Sequence, residues 1–170
     1  QLDQSPQVEV LTVDSSTGRV KILQLERPAP KPGELASRLI QYGLGQQAAD
    51  KSRDIATADL DGDGLTDVVV ADPDAARMIV FKQRKGIGLE QGEAFSGLVG
   101  AEQVRTADLD GDGAAEVVVL STKEKTIGVS RMTEGRLTFP QALPMGGKEP
   151  IALELADLDA DKHTDIIYLT

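Results

Sequence analysis

Apolar positions in this chain fall in short runs between turn residues, and the runs recur at a constant interval. The clearest are Val68–Val70, Val117–Leu120 and Ile166–Leu169. Compact β-branched and aliphatic runs bounded by Asp, Gly or Ser are the pattern of buried strands. Directly ahead of each run lies an acidic loop. Ala58-Asp59-Leu60-Asp61-Gly62-Asp63-Gly64-Leu65-Thr66-Asp67 is followed by Ala107-Asp108-Leu109-Asp110-Gly111-Asp112-Gly113-Ala114-Ala115-Glu116 and Ala156-Asp157-Leu158-Asp159-Ala160-Asp161-Lys162-His163-Thr164-Asp165. The opening residues Asp59, Asp108 and Asp157 stand 49 residues apart. Equal spacing without a gap means that the units share one internal architecture.

Each unit reads as four strands. A first strand covers Asp54 to Ala58, and its Ile55 repeats as Val104 and Leu153. The acidic loop and the apolar run follow. Turns at Ala71–Asp74 and Ser121–Glu124 lead to a third strand at Met78–Phe81 and around Thr126–Val129. A further turn, Gly86–Gly88 or Glu134–Gly135, precedes a fourth strand over Leu89–Phe95 and Leu137–Ala142. The N-terminal stretch fits the same scheme. Val8–Val13 matches a second strand, Asp14–Gly18 a hairpin turn and Val20–Leu25 a third strand. Arg27–Gly33 is a proline-rich connection, and Leu35–Leu44 takes the fourth-strand place, with a short helix as the alternative.

Four short antiparallel strands per repeat predict the blades of a propeller. The expected fold class is therefore all-β, a β-propeller segment built from four-stranded antiparallel blades. Residues 1–49 supply strands two to four of one blade, 50–98 and 99–147 are full blades, and 148–170 give the first two strands of another. Propellers have ~4–8 blades, so the segment is expected to be part of a larger ring. The missing blades would come from the parent chain or from self-association.

Composition narrows the function. Asp and Glu number 28 against 18 Lys and Arg, a net charge of −10, which excludes nucleic acid and anionic membrane surfaces as expected partners. No apolar run approaches the ~20 residues of a membrane span. The absence of Cys excludes disulfides, zinc–thiolate sites, iron–sulfur clusters and a thiol nucleophile. The single His, His163, lies inside an acidic loop, where a solvent-facing imidazole and no catalytic role are expected. Aromatic residues make up only 3%, which argues against a sugar or flavin pocket. Lys82, Arg84 and Lys85, with Lys123 and Lys125, read as solvated turn tips. No catalytic residue is proposed, and the chain is not expected to be an enzyme.

The acidic loops carry the chemistry. In Asp-x-Asp-x-Asp-Gly-x-x-Asp, carboxylates at positions 1, 3 and 5 point towards one centre. A carbonyl at position 7 and a carboxylate at position 9 complete an all-oxygen shell, the donor set of Ca²⁺. Three divalent ions would offset six of the ten excess negative charges. An EF-hand requires a bidentate Glu at position 12 and flanking helices. Position 12 here is Val70, Val119 or Tyr168 and the flanks are β-branched, so the EF-hand is excluded.

Such a loop leading into a strand, repeated in phase, resembles the FG-GAP/VCBS repeats of integrin-α-like β-propellers. Phe95-Ser96-Gly97 is the nearest match to the Phe-Gly element of that name. The resemblance implies side-chain ligation by Asp59, Asp61, Asp63 and Asp67 with the Leu65 carbonyl. It implies the same for Asp108, Asp110, Asp112 and Glu116 with the Ala114 carbonyl, and for Asp157, Asp159, Asp161 and Asp165 with the His163 carbonyl. Up to three Ca²⁺ are expected, acting as structural staples. The third site is expected to be weakest, because Lys162 and Ala160 replace Gly64 and Gly62 of the first loop. The resemblance also implies an extracellular, cell-surface or periplasmic protein whose propeller serves as a scaffold or binding module in adhesion or protein–protein recognition, with a protein or glycan ligand. The alternative is a non-catalytic accessory domain of a secreted enzyme acting on polysaccharide or another polymer.

Overall fold

Sheets stacked face to face organise the computed structural model, which describes residues 8–14, 19–25, 37–43 and 53–170. The first sheet has three strands, β1 (Val8–Asp14), β2 (Arg19–Leu25) and β3 (Ser37–Gly43), paired antiparallel in chain order. The second contains β4 (Ile55–Ala58), β5 (Asp67–Asp72) and β6 (Arg77–Phe81). After a small hairpin of β7 (Gln83–Arg84) and β8 (Gly88–Leu89), it is completed by β9 (Glu93–Ser96). The third repeats this plan with β10 (Ala101–Ala107), β11 (Glu116–Ser121), β12 (Thr126–Ser130), the hairpin β13 (Met132–Thr133) and β14 (Arg136–Leu137), and β15 (Gln141–Ala142). The last sheet pairs β16 (Ala152–Ala156) with β17 (Asp165–Leu169). Among the described residues every element is a strand. The fold is an all-β propeller segment of four-stranded antiparallel blades.

The continuous apolar run of each second strand follows from its place in the stack. Successive side chains of a strand point to opposite faces. Val69 and Ala71 of β5 therefore enter one core with Met78, Val80, Phe95, Val104, Val117 and Val119. Val68 and Val70 enter another with Ile79, Phe81 and Ile22 of β2. In β11, Val117 and Val119 face the preceding blade, while Val118 and Leu120 join Ile127 and Leu153 on the other side. Every residue of β5 and β11 is buried. The cores lie between blades, and a fully buried Val or Leu contributes ~1.5–3 kcal/mol. The outermost sheets, β1–β3 and β16–β17, share no core cluster, so the described residues form an open stack and not a closed ring.

Two details differ from the sequence pattern or select between its alternatives. The fourth strand begins later than Leu89 or Leu137, because both leucines belong to the small hairpins. The turn of β13–β14 has positive φ at both Glu134 (51°) and Gly135 (76°), as a type I′ turn requires. Leu89 and Leu137 are buried against the blade cores, so their apolar character reflects packing and not a place in the four-stranded ladder. Pro140, directly before β15, has no N–H to donate to a longer strand. In the N-terminal sheet, β3 is a strand and not the alternative helix. Leu35, Leu44, the turn residues 15–18 and the connection Arg27–Gly33 lie outside the described residues.

Gly92 shows how tightly the blade is filled. A Cβ there would sit 2.6 and 2.7 Å from Phe81 ring carbons and 2.8 Å from Ile79 Cγ2. Gly92→Ala is expected to destabilise the fold by ~1–3 kcal/mol through overpacking. The check is the denaturant midpoint, and an unchanged midpoint would mean that Phe81 and Ile79 have room to move.

Candidate metal centre

Each acidic loop joins the first strand of a blade to the second and folds around its own carboxylates. Asp59 at position 1 accepts hydrogen bonds from the backbone N–H groups of Gly62 (2.8 Å), Asp63 (3.2 Å) and Gly64 (2.8 Å). Asp108 accepts from Gly111 and Gly113, and Asp157 from Lys162. At position 9, Asp67 accepts from the N–H groups of Leu60 and Gln83. Glu116 accepts from Leu109 N and Asp165 from Leu158 N, so in all three loops position 9 fixes the amide of position 2. The tight turns need left-handed backbone. Gly62 and Gly64 have φ of 74° and 81°, and Ala160 and Lys162 adopt the same region at 62° and 73°.

This folding brings together carboxylates of positions 1, 3 and 9. Oxygens of Asp59, Asp61 and Asp67 lie within 4.8 Å of one another, and the same holds for Asp108, Asp110 and Glu116, and for Asp157, Asp159 and Asp165. Oxygens bound to one Ca²⁺ at ~2.3–2.6 Å are at most about 5 Å apart, so each set fits a single cation. In the first loop, Asp61 Oδ1 is buried and has no hydrogen-bond partner, an unsatisfied acceptor of the kind a cation would satisfy. The position-5 residues Asp63, Asp112 and Asp161 stand outside these trios. Each instead accepts the N–H of position 7, from Leu65 (2.9 Å), Ala114 (2.8 Å) and His163 (2.7 Å). His163 is exposed.

The first loop is the most deeply set. Asp67 is fully buried at the head of β5, whereas Asp165 is half-buried. Loss of solvation by burial pushes the Asp67 carboxyl up to about 6, against the lowering effect of the Gln83 and Leu60 N–H groups and with added repulsion from Asp61 and Asp63.

Lys85, Lys123 and Lys125 are exposed turn residues as expected, but Lys82 and Arg84 are placed differently. Lys82 is mostly covered and Arg84 partly so, and both lie against Asp61. Gln83 is buried, and its Oε1 accepts the Thr66 N–H of the same loop. The recurrence of Lys82 as Arg131, one repeat later, is the sequence signal for this arrangement. Gln83 recurs as Met132 and gives no such signal.

A family model for FG-GAP-like repeats matches the chain twice, over residues 59–119 and 108–168. The chain belongs to the FG-GAP-like repeat family. Each match starts at position 1 of one acidic loop and ends in the strand after the next, and the two matches are offset by the 49-residue period. No curated protein matches the chain. Among solved structures, a chain of a mutant Tc holotoxin pore from Photorhabdus luminescens is similar at 21% identity, with a TM-score of 0.46. The similarity covers 99% of this chain and 9% of that one.

Two predictions follow from the FG-GAP-like loops. Proton and cation compete for Asp67. Its carboxyl binds a proton more tightly in the ion-free fold (about 6) than in the unfolded chain (3.8), so its protonation favours that fold as pH falls through this window. That contribution is lost as pH rises through 6, which leaves the carboxylate ionised and open to a cation. Calcium affinity at the first loop should therefore be about tenfold lower at pH 5 than at pH 7. The Gly64 amide resonance in a calcium titration reads this, and equal affinities would exclude Asp67 as a ligand. In the third loop, a left-handed non-glycine residue costs roughly 1–2 kcal/mol. Lys162 already holds φ 73° without an ion, so Lys162→Gly should relieve this cost in the ion-free fold and raise its melting midpoint in EDTA, and an unchanged midpoint would show that the turn carries no such cost.

Proposed function

We propose that the chain is a calcium-stabilised β-propeller segment, a rigid scaffold or binding module of an exported or cell-surface protein that acts in adhesion or protein–protein recognition. The observation that carries this reading is one acidic loop repeated three times in phase, each bringing three carboxylates within 4.8 Å. Carboxylate and carbonyl oxygens are the donors that Ca²⁺ prefers, in a flexible shell of six to eight. The unpartnered Asp61 Oδ1 supports the same assignment in the first loop. The side chains at positions 1, 3 and 9 hold the ion, and position 9 belongs to the second strand. Bound calcium thereby supplies charge neutralisation that ties the first strand of a blade to the second.

The role assigned to the ions is structural. The donors are supplied by the loops themselves, and the reading assigns the chain no catalytic step. Kinship with the VCBS and integrin-α-like branches is supported by the Asp-x-Asp-x-Asp-Gly-x-x-Asp spacing. Extracellular calcium modules bind at ~10⁻⁴–10⁻³ M, concentrations met outside the cytosol, which is the basis for assigning export. The ligand, a protein or a glycan, would dock on loops at one face, where propeller-like scaffolds present their variable residues.

Thermal melting in excess EDTA and then in millimolar calcium tests the reading. Saturation at a hundred times Kd should add ~2.7 kcal/mol per site to the native state, a clear rise in the midpoint. A midpoint indifferent to calcium would refute the proposal.

A further inference from the structure

The acidic loops of the two complete blades each meet a basic side chain that comes from outside the loop, at the same place in the repeat. Lys82 directly follows β6 and Arg131 directly follows β12, 49 residues further on. Lys82 Nζ lies 3.7 Å from Asp61 Oδ2, and Arg131 Nη1 lies 3.2 Å from Asp110 Oδ2. Side chains of different length and geometry thus reach the equivalent carboxylate, the position-3 member of each trio. In the first loop Arg84 adds a second cation, 3.6 Å from the same Asp61 oxygen and 3.3 Å from Asp63. Among the described residues no basic side chain pairs with Asp159 of the third loop. Asp61 has two distinct sides. Oδ2 faces Lys82 and Arg84, and Oδ1 is buried and free of hydrogen bonds. Lys82 Nζ also donates to the Gly135 carbonyl of the next blade (3.2 Å), which holds the ammonium in place.

We propose that Lys82 and Arg131 are tethered counter-cations, which neutralise the position-3 carboxylate of the ion-free loop and thereby hold down its affinity for calcium. The proposal rests on the calcium reading and deepens it. Without an ion, the basic group offsets repulsion among carboxylates that the fold has brought together. With an ion bound to the far oxygen of the same carboxylate, a divalent charge stands about 6 Å from the tethered one. Both effects weaken binding. At that separation the repulsion is worth about tenfold in Kd even at the dielectric of water. The Lys82 side chain is 15% exposed and that of Arg131 56%, so salt and solvent screen the second pair more, and about threefold is expected there. A positioning role for Lys82, orienting Asp61 towards the ion, would have the opposite sign.

The test uses the 170-residue chain with Lys82→Gln, Arg131→Gln and the conservative Lys82→Arg. Calcium is titrated by NMR, with the amides of Gly64 and Gly113 reporting the two loops separately, and each variant is also melted in EDTA. Lys82→Gln should tighten calcium binding at Gly64 about tenfold, leave Gly113 unchanged, and lower the melting midpoint in EDTA. Arg131→Gln should tighten Gly113 alone, about threefold. Lys82→Arg should keep the parent values in both measurements. Unchanged or weakened calcium binding in Lys82→Gln, with the parent chain binding normally, overturns the counter-cation proposal alone. Absence of calcium binding in the parent chain overturns the calcium reading and the affinity claim with it. The EDTA midpoint then still decides whether Lys82 neutralises the loop, and a midpoint equal to the parent's denies that as well.

Discussion

The second strands of the two complete blades, β5 and β11, are buried on both faces, and most of the structure follows from that constraint. β5 sends Val68 and Val70 to one neighbour and Val69 and Ala71 to the other, so neither face is left for water. A strand of this kind cannot alternate apolar with polar residues, and it reads as a continuous β-branched run. No blade encloses a core of its own. Each core is shared across a junction, and the blades stabilise one another as nearest neighbours in the manner of repeat proteins. The gap between stacked sheets is ~10 Å. Val, Leu, Ile and Met fill it here with little help from aromatic residues, and Phe81 and Phe95 are the large exceptions.

Filling the strands with apolar side chains confines charge to their ends, and there it is concentrated. The loop before β5 places Asp59, Asp61, Asp63 and Asp67 within nine residues of chain, and Asp67 enters the buried strand itself. A buried carboxylate is tolerable only with donors directed at it. Backbone amides meet this need first, from Leu60 and Gln83 for Asp67 and from Gly62, Asp63 and Gly64 for Asp59. Asp61 has no such amide. Its two oxygens face Lys82 and Arg84 on one side and an unfilled acceptor position on the other. In the first loop, position 3 is thus the point that depends on positive charge and not on its own backbone, whereas Asp110 and Asp159 accept the amides of Asp112 and Asp161.

The repeat made the architecture legible. Three in-phase loops and three β-branched runs locate first and second strands within a residue or two, because period, burial and turn chemistry agree there. The fourth strand was harder to read. Leu89 and Leu137 look like strand residues, but their apolarity serves the hairpins that pack onto the blade. The acidic loops are readable as to residue type, and the structure adds which of their carboxylates lie nearest one another. Positions 1, 3 and 9 converge, while the position-5 carboxylates of Asp63, Asp112 and Asp161 bond the amide two residues on, a local turn habit of Asp that spacing does not distinguish from ligation. Lys82 and Arg84 were hidden for another reason. Their partner is a loop some twenty residues earlier, and only the antiparallel return of β6 alongside β5 brings the end of the third strand back beside it.

The junctions between blades show why the period is held so strictly. Asp54 accepts the N–H of Val104, and Gln103, one repeat after Asp54, accepts that of Leu153. Arg105 of the middle blade reaches across both seams, paired with Asp54 on one side and Glu154 on the other. The loops are joined too. Ala115 donates its N–H to the Asp59 carbonyl at 2.7 Å, and Lys82 crosses to the Gly135 carbonyl. These bonds link residues roughly one repeat apart, so the insertion of a single residue in a blade would move every donor off its acceptor. They also run through the residues of the acidic loop. Asp59 faces the loop interior with its carboxylate and the next blade with its carbonyl, so the order of one loop and the alignment of the neighbouring blade are parts of a single arrangement.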